Sequence, residues 1–468
     1  MKYTFLDQIK KEGLLIAPAF KNETDNYSKK FKEAVNKDLV KQEDFKAHSY
    51  FEEGFERVTT IYLGNLKDLN PEKLKKFANK IVTLCNRMDR KTAQIHLPNK
   101  LLDHKNAFNL AEGFILGSYE FTAYKEKKNS LETLHLVMDK KYRKQFDKGA
   151  SLAKATNYAR DLINHPANVM NSTKLHEEVK KIEKKGAKLT VLEQEELRKK
   201  GLRGLLSVNK GSAQPPKLIL IEHNAKKEKP TLLVGKGITF DTGGYSIKPN
   251  DNMVKMKSDM AGAAAVIGTL KYLVENNVKR NVVGVVPICE NMISSDANRP
   301  SDIVKMYNGK TVEITNTDAE GRLILADALS YSEEKYEPKE IIDVATLTGA
   351  VIIALGSYCT GMISKDDNMA RKLELAGLES NDKVWRLPFF DDYQKDMDGD
   401  VSDLRNTGKN SEAGAITAGV FLSKFVKTSN WTHLDIAGSG RCENEREYVK
   451  KGGTGAGVRL FSYYLEKY

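Results

Sequence analysis

Five segments of this chain are apolar almost without interruption: residues 189–192, 217–221, 231–234, 282–286 and 341–345. A strand with one wet face alternates apolar and polar residues, so unbroken runs of this length belong to strands covered on both faces. The stretches between them repeat as helices. The one from Met260 aligns Ala264, Ile267, Leu270 and Val274, and Arg322 opens another with Leu323, Ala326 and Leu329. Strands alternating with helices predict an α/β fold, here a doubly wound domain with a mostly parallel sheet. The end of the chain, 455–465, reads as a terminal helix.

At 468 residues the chain exceeds one ordinary core, so a second domain is expected. Residues 1–148 supply it as a small N-terminal α/β domain. Strands are predicted at 59–63, 93–97 and 131–137, with a helix over about 106–121. Asn70-Pro71 reads as an N-cap followed by proline at the first helical position, and Leu74, Phe77, Ile81 and Leu84 follow at helical spacing. A helix from about 141 to 163 stops before Pro166, which makes 149–166 the connection and 167–468 the larger domain. An amphipathic helix over 173–185 follows. Its His176-Glu177 begins like a zinc-binding HExxH, but position 180 is Lys.

Composition narrows the class. The four cysteines, Cys85, Cys289, Cys359 and Cys442, are scattered and form no CxxC, which points to a reducing, cytoplasmic setting. Charges at Lys2, Asp7, Lys10, Lys11 and Glu12 leave no apolar core for a secretory leader. Residues 344–364 carry no charge and are long enough to span a bilayer. The three glycines within them favour a buried strand, a turn and an apolar helix, so no membrane association is expected. The net charge of +12 sits mostly in the first 165 residues, with 31 Lys and Arg against 22 Asp and Glu. That excess fits a lysine-rich solvated surface. Attraction to nucleic acid is the alternative, and no basic motif interleaved with aromatics supports it.

The chemistry concentrates in 234–322. This stretch opens with Val234-Gly-Lys-Gly-Ile-Thr-Phe-Asp-Thr-Gly-Gly-Tyr-Ser-Ile-Lys-Pro249, passes through Met256-Lys-Ser-Asp-Met260 and closes with Asn316-Thr-Asp-Ala-Glu-Gly-Arg322. Ligands of open α/β sheets sit beyond the carboxyl ends of strands, where Asp241 falls, and Asp318 and Glu320 lie just before a helix. In an extended segment, residues two apart project to one side, so Asp318 and Glu320 are expected to point together. With Asp259 they make four negative charges, which repel unless cations neutralise them. Two divalent ions sharing carboxylates would do so at a spacing of about 3.5–4 Å. Other readings fail: Gly235-Lys-Gly237 lacks the third glycine of a dinucleotide fingerprint. Gly309-Lys-Thr311 has Val304 where a phosphate loop needs glycine, and there is no GxSxG elbow.

These blocks closely resemble the leucyl (cytosol) aminopeptidase family, whose signature is Asn316-Thr-Asp-Ala-Glu-Gly-Arg-Leu323. The resemblance runs from about Arg160 to the C-terminus. It includes Asp343-Val-Ala-Thr-Leu-Thr-Gly349, Asp403-Leu-Arg-Asn-Thr-Gly408, Gly414-Ala-Ile-Thr417 and Trp431-Thr-His-Leu-Asp-Ile-Ala-Gly438. It implies a two-metal aminopeptidase releasing N-terminal residues from peptides, with Leu-type but broad preference. Lys236, as a neutral amine, with Asp241, Asp259 and Glu320 would form a tight site. Asp241, Asp318 and Glu320 would form an exchangeable one. Zinc is the usual metal, with manganese, magnesium or cobalt able to enter the looser site. Lys248 would stabilise the oxyanion, and Arg322 would hold a bicarbonate ion that carries the proton to the leaving amine. Met256, Asn316, Thr346, Leu347 and Gly349 would contact substrate. A cytoplasmic homohexamer is the family's assembly. His433 lies in a family motif but serves no step, and is read as structural. Within enzymes a two-metal phosphoesterase is the nearest rival, and the absent phosphate loop speaks against it.

Overall fold

The computed structural model describes residues 1–126, 130–224, 228–410, 412–428 and 430–468. Two compact units emerge, Met1–Asn157 with Asn444–Lys450, and Tyr158–Glu443 with Lys451–Tyr468. The return of 444–450 to the first unit has no signal in the sequence pattern.

The first unit is a six-stranded sheet in the order Lys2–Leu6, Thr133–Val137, Thr92–His96, Leu14–Ala19, Arg57–Tyr62, Ala47–Tyr50. All neighbours are parallel except the last pair. The helix expected after Asn70 is Pro71–Arg87, and the Asn70 side chain accepts from Lys73 N at 2.9 Å. The next helix is His104–Gly117, capped by Asp103. These two helices touch closely because Gly113 has no side chain: a Cβ there would sit 2.6 Å from Lys75 Cα. Between them Lys75 Nζ pairs with Glu112 Oε2 at 2.8 Å, both side chains fully buried.

In the second unit the sheet runs Val384–Arg386, Thr360–Ser364, Trp431–Asp435, Glu340–Ala345, Thr231–Gly235, Val282–Asn291, Lys217–His223, Lys188–Leu192. Its centre, from Trp431–Asp435 to Val282–Asn291, is parallel. Lys217–His223 and Lys188–Leu192 run antiparallel at one side, and Thr360–Ser364 lies antiparallel to Trp431–Asp435 at the other. Ala261–Glu275 and Gly321–Tyr336 are the two helices predicted. Leu323, Ala326 and Leu329 share a core with Leu232, Val234, Val283, Ile341 and Trp431. The uncharged run at 344–364 resolves into a strand end, the helix Gly349–Leu355 and the strand Thr360–Ser364. Among the described residues no helix is long and apolar enough to cross a membrane.

Candidate metal centre

Each acidic side chain arrives at the centre by a different local device. The strand Thr231–Gly235 ends, Lys236 N donates to Val344 O at 3.0 Å, and a fresh strand, Gly237–Asp241, starts beside Val282–Asn291. Asp241 is therefore a strand's last residue. Its Oδ1 accepts from Asn291 Nδ2 at 2.8 Å and from Gly243 N at 2.9 Å. Asp259 follows a single 3-10 turn, Met256–Ser258, just before the helix Ala261–Glu275. Glu320 immediately precedes Gly321–Tyr336. Asp318 does not lie on an extended segment, as its spacing from Glu320 suggested. Ala319 N donates to Asn316 O at 3.2 Å and Asp318 N to Asn316 Oδ1 at 2.8 Å, closing a turn. Local side-chain bonding by asparagine outcompetes the extended form here.

Asp241, Asp259 and Glu320 each bring one carboxylate oxygen to within 4.8 Å of the others, all three side chains being buried. Lys236 Nζ lies 2.8 Å from Asp259 Oδ2, 2.9 Å from Glu320 Oε1 and 3.0 Å from Thr346 O. Lys248 Nζ lies 2.8 Å from Asp241 Oδ2 and also pairs with Asp318. Asp318 is the most open of the four acids, with a third of its side chain exposed. Burial, then neighbouring carboxylates, pushes Asp259 and Glu320 well above the usual carboxylate range, and Asp318 also rises. For Lys236 and Lys248 burial opposes the charge, yet the surrounding carboxylates hold both above the ordinary lysine value.

Arg322 is buried at the start of its helix, and Nη1 donates to Asn406 O at 2.7 Å. Burial lowers its guanidinium to about 10, with Glu320 and Asp435 acting in the opposite direction. Its Nε is buried without a hydrogen-bond partner among the described residues.

The five residues matched to substrate contacts divide. Thr346 is tied to the acids, its Oγ1 donating to Asp259 Oδ1 at 2.7 Å while its carbonyl takes Lys236. Leu347 N donates to Asp435 Oδ1 at 3.0 Å. Gly349 is exposed at the start of its helix, and an added Cβ would meet nothing within 4 Å. Met256 is half-buried beside Asp259 in sequence, and the Asn316 carboxamide oxygen is spent on the turn.

Other contributors were invisible as isolated residues. Gly321 is required because a Cβ would stand 2.5 Å from Lys236 Cε. Gly243, at φ +84°, would place a Cβ 2.9 Å from Asp318 Oδ1. Thr317 Oγ1 donates to Gly243 O at 2.6 Å and accepts from Ser246 N at 2.8 Å, linking the two acidic loops. The glycines and Thr317 stand inside the motifs, so their proximity to the acids was the available signal. Asp435 stands in the 431–438 block, whereas Asn291 lies in none of the motifs and 50 positions from Asp241. His433 is buried in the sheet, with Nδ1 2.5 Å from Asp343 Oδ1, while Trp431 Nε1 donates to Asp343 Oδ2 at 2.8 Å.

The donor set fits divalent cations. Four carboxylates converge on two ammonium groups, and Glu320 Oε2 is buried with no hydrogen-bond partner among the described residues, an arrangement that is costly unless a cation takes the free oxygen. The comparisons with known proteins agree. Residues 157–462 match the cytosol aminopeptidase family catalytic domain, and residues 20–128 match that family's N-terminal domain. The chain belongs to the cytosol aminopeptidase family. It is 43% identical over 423 residues to the probable cytosol aminopeptidase of Geotalea uraniireducens, covering 88% of this chain and 85% of that one. With the probable cytosol aminopeptidase of Clostridium perfringens it shares 39% over 469 residues, covering 95% and 94%. Among solved structures, the bottromycin maturation enzyme BotP in complex with Mn superposes with a TM-score of 0.87 at 29% identity, covering 97% of this chain and 98% of that one. The protein is thus a metal-dependent aminopeptidase, a peptidase of the hydrolase class, acting on peptides.

Proposed function

We propose that this aminopeptidase holds two divalent cations and releases N-terminal residues, those of Leu type foremost, with broad tolerance. The observation that carries the reading is the buried meeting of Asp241, Asp259 and Glu320 around Lys236, with Asp318 and Lys248 on the open side. Lys236, Asp241, Asp259 and Glu320 would hold one ion. Asp241, Asp318 and Glu320 would hold the other, with zinc or manganese the expected occupants and magnesium or cobalt acceptable in the looser position. Bound cations supply Lewis acidity and a water acidic enough to be a nucleophile near neutral pH.

The chain's own groups do the rest. Lys248, only partly covered by Asp241 and Asp318, presents an ammonium to the oxygen that becomes negative as the carbonyl is attacked. Arg322 Nε is a buried donor without a hydrogen-bond partner among the described residues, suited to a small oxyanion such as bicarbonate able to pass a proton to the leaving amine. Thr346, Leu347 and Gly349, with Met256 and Asn316, would border the first side-chain pocket. Such a pocket separates side chains differing by one methylene by only about 1–3 kcal/mol, hence the breadth. A cytoplasmic homohexamer is the proposed assembly. The exposed apolar side chains of Ile353, Tyr358, Trp385 and Phe390 are surface that subunit contacts would cover.

The test compares Leu-Gly-Gly with its N-acetylated form. Release of free Leu from the first alone is expected, because a free α-amine is needed next to the carboxylates. Equal cleavage of both, or cleavage at the C-terminal bond of the intact tripeptide, overturns the aminopeptidase reading.

A further inference from the structure

We propose that Asn406 is a positioning residue that sets the geometry of the acidic turn and of Arg322 together. The inference rests on the metal-site reading above and goes beyond it to a side chain that touches neither substrate nor the proposed ligand atoms. Asn406 follows the short strand Leu404–Arg405, which pairs in parallel with Thr311–Glu313, so it enters beside the turn from a segment nearly 90 residues away. It is completely buried. Its Oδ1 accepts from Thr315 N at 2.8 Å, Thr315 Oγ1 at 3.0 Å and Asn316 N at 3.3 Å. Its Nδ2 donates to Asn316 O at 2.7 Å and Ala319 O at 3.4 Å. Its own carbonyl accepts from Arg322 Nη1 at 2.7 Å.

One carboxamide therefore grips both ends of the turn that carries Asp318, stops one residue short of Glu320, and fixes the guanidinium by the adjoining carbonyl. Only an amide fits this task. The contacts call for an acceptor on one side and a double donor on the other. Aspartate supplies no donor unless protonated, and alanine supplies neither. Residues that hold metal ligands in place change metal affinity or activity by about 10–100-fold when removed.

The experiment starts with Asn406→Ala in the full-length chain. Manganese binding alone, by equilibrium dialysis, is expected to weaken about 10–100-fold, and kcat on Leu-p-nitroanilide to fall comparably at saturating metal while KM barely moves. Combining it with Arg322→Met should cost less than the product of the two single losses, since both act on one arrangement. Unchanged manganese affinity, or losses that multiply, overturns the inference. A purely structural role would lower the melting temperature and leave the manganese affinity of the folded protein intact. If the alanine variant fails to fold, Asn406→Asp decides. It keeps the shape, and its second oxygen faces two carbonyls unless protonated. Its activity relative to wild type is then expected to rise as pH falls from about 8 to about 6, and a flat ratio contradicts the proposal. Wild-type silence on the anilide would instead refute the aminopeptidase reading itself.

Discussion

At the scale of single residues, the centre is a charge problem solved by close placement. Gly321 has no functional group, yet it makes room for Lys236. The group it would strike is the end of a flexible side chain, so Gly321→Ala should fold normally while displacing the Lys236 amine. The expected result is a kcat/KM lower by about 10–100-fold, with the melting temperature nearly unchanged. A lower melting temperature at full specific activity would refute this. The same charges give a pH dependence. Asp259 and Glu320 are raised by burial and then by the neighbouring Asp241 carboxylate, so these two groups hold protons more tightly in the metal-free fold than in the unfolded chain. Their contribution to its stability therefore falls as pH rises from about 4 to about 8. Lys236 and Lys248 are raised too, so their contribution stays constant below the ordinary lysine value of about 10.4 and is lost only as pH climbs through their raised values. Cations compete with protons for these groups. The melting temperature gained on adding zinc or manganese should consequently be larger near pH 8 than near pH 5.5, by thermal denaturation with and without chelator. A gain that shrank with rising pH would be inconsistent with these ligands.

At the scale of elements, local signals decided what the sequence could reveal. Asn70-Pro71 announces Pro71–Arg87 because the cap and the proline act within one turn. The apolar runs announce the parallel centre because burial on both faces is written into composition. Gly237–Asp241 was unreadable as a strand, since Gly235-Lys-Gly237 looks like a break, and only pairing with the long strand Val282–Asn291 makes it one. The strands Lys2–Leu6 and Leu14–Ala19 likewise depend on partners far along the chain. The acidic residues were legible because they cluster in glycine-rich motifs. Asn291 was not, and the 403–408 and 431–438 blocks gave Asn406 and Asp435 no role, because hydrogen bonds across 50 to 90 positions leave no local pattern. In the first unit the helices Pro71–Arg87 and His104–Gly117 carry their own test. Lys75→Met removes the ammonium facing the buried Glu112 carboxylate, and the expected cost is about 3–5 kcal/mol, seen as a lower urea midpoint. A variant as stable as wild type would contradict this cost.

At the scale of the whole molecule, the parallel sheet of the second unit collects the chemistry at the ends of its central strands, as open α/β sheets do. Asp241 ends one strand, Asn291 and Asp435 end others, the loop after Asp241 supplies Lys248, and the loop after Glu340–Ala345 supplies Thr346. The acids are costly to bury together, so the fold spends stability on a site that cations complete. The measurement that reaches this claim most directly is a metal titration. Protein stripped by chelator is titrated with manganese or zinc while Leu-p-nitroanilide hydrolysis is followed, with Asp318→Ala alongside. Activity that is absent without metal, returns as up to two ions bind per chain and stays absent in the variant is the predicted result. Full hydrolysis in the chelated protein, or an Asp318→Ala enzyme as active as wild type, would contradict it.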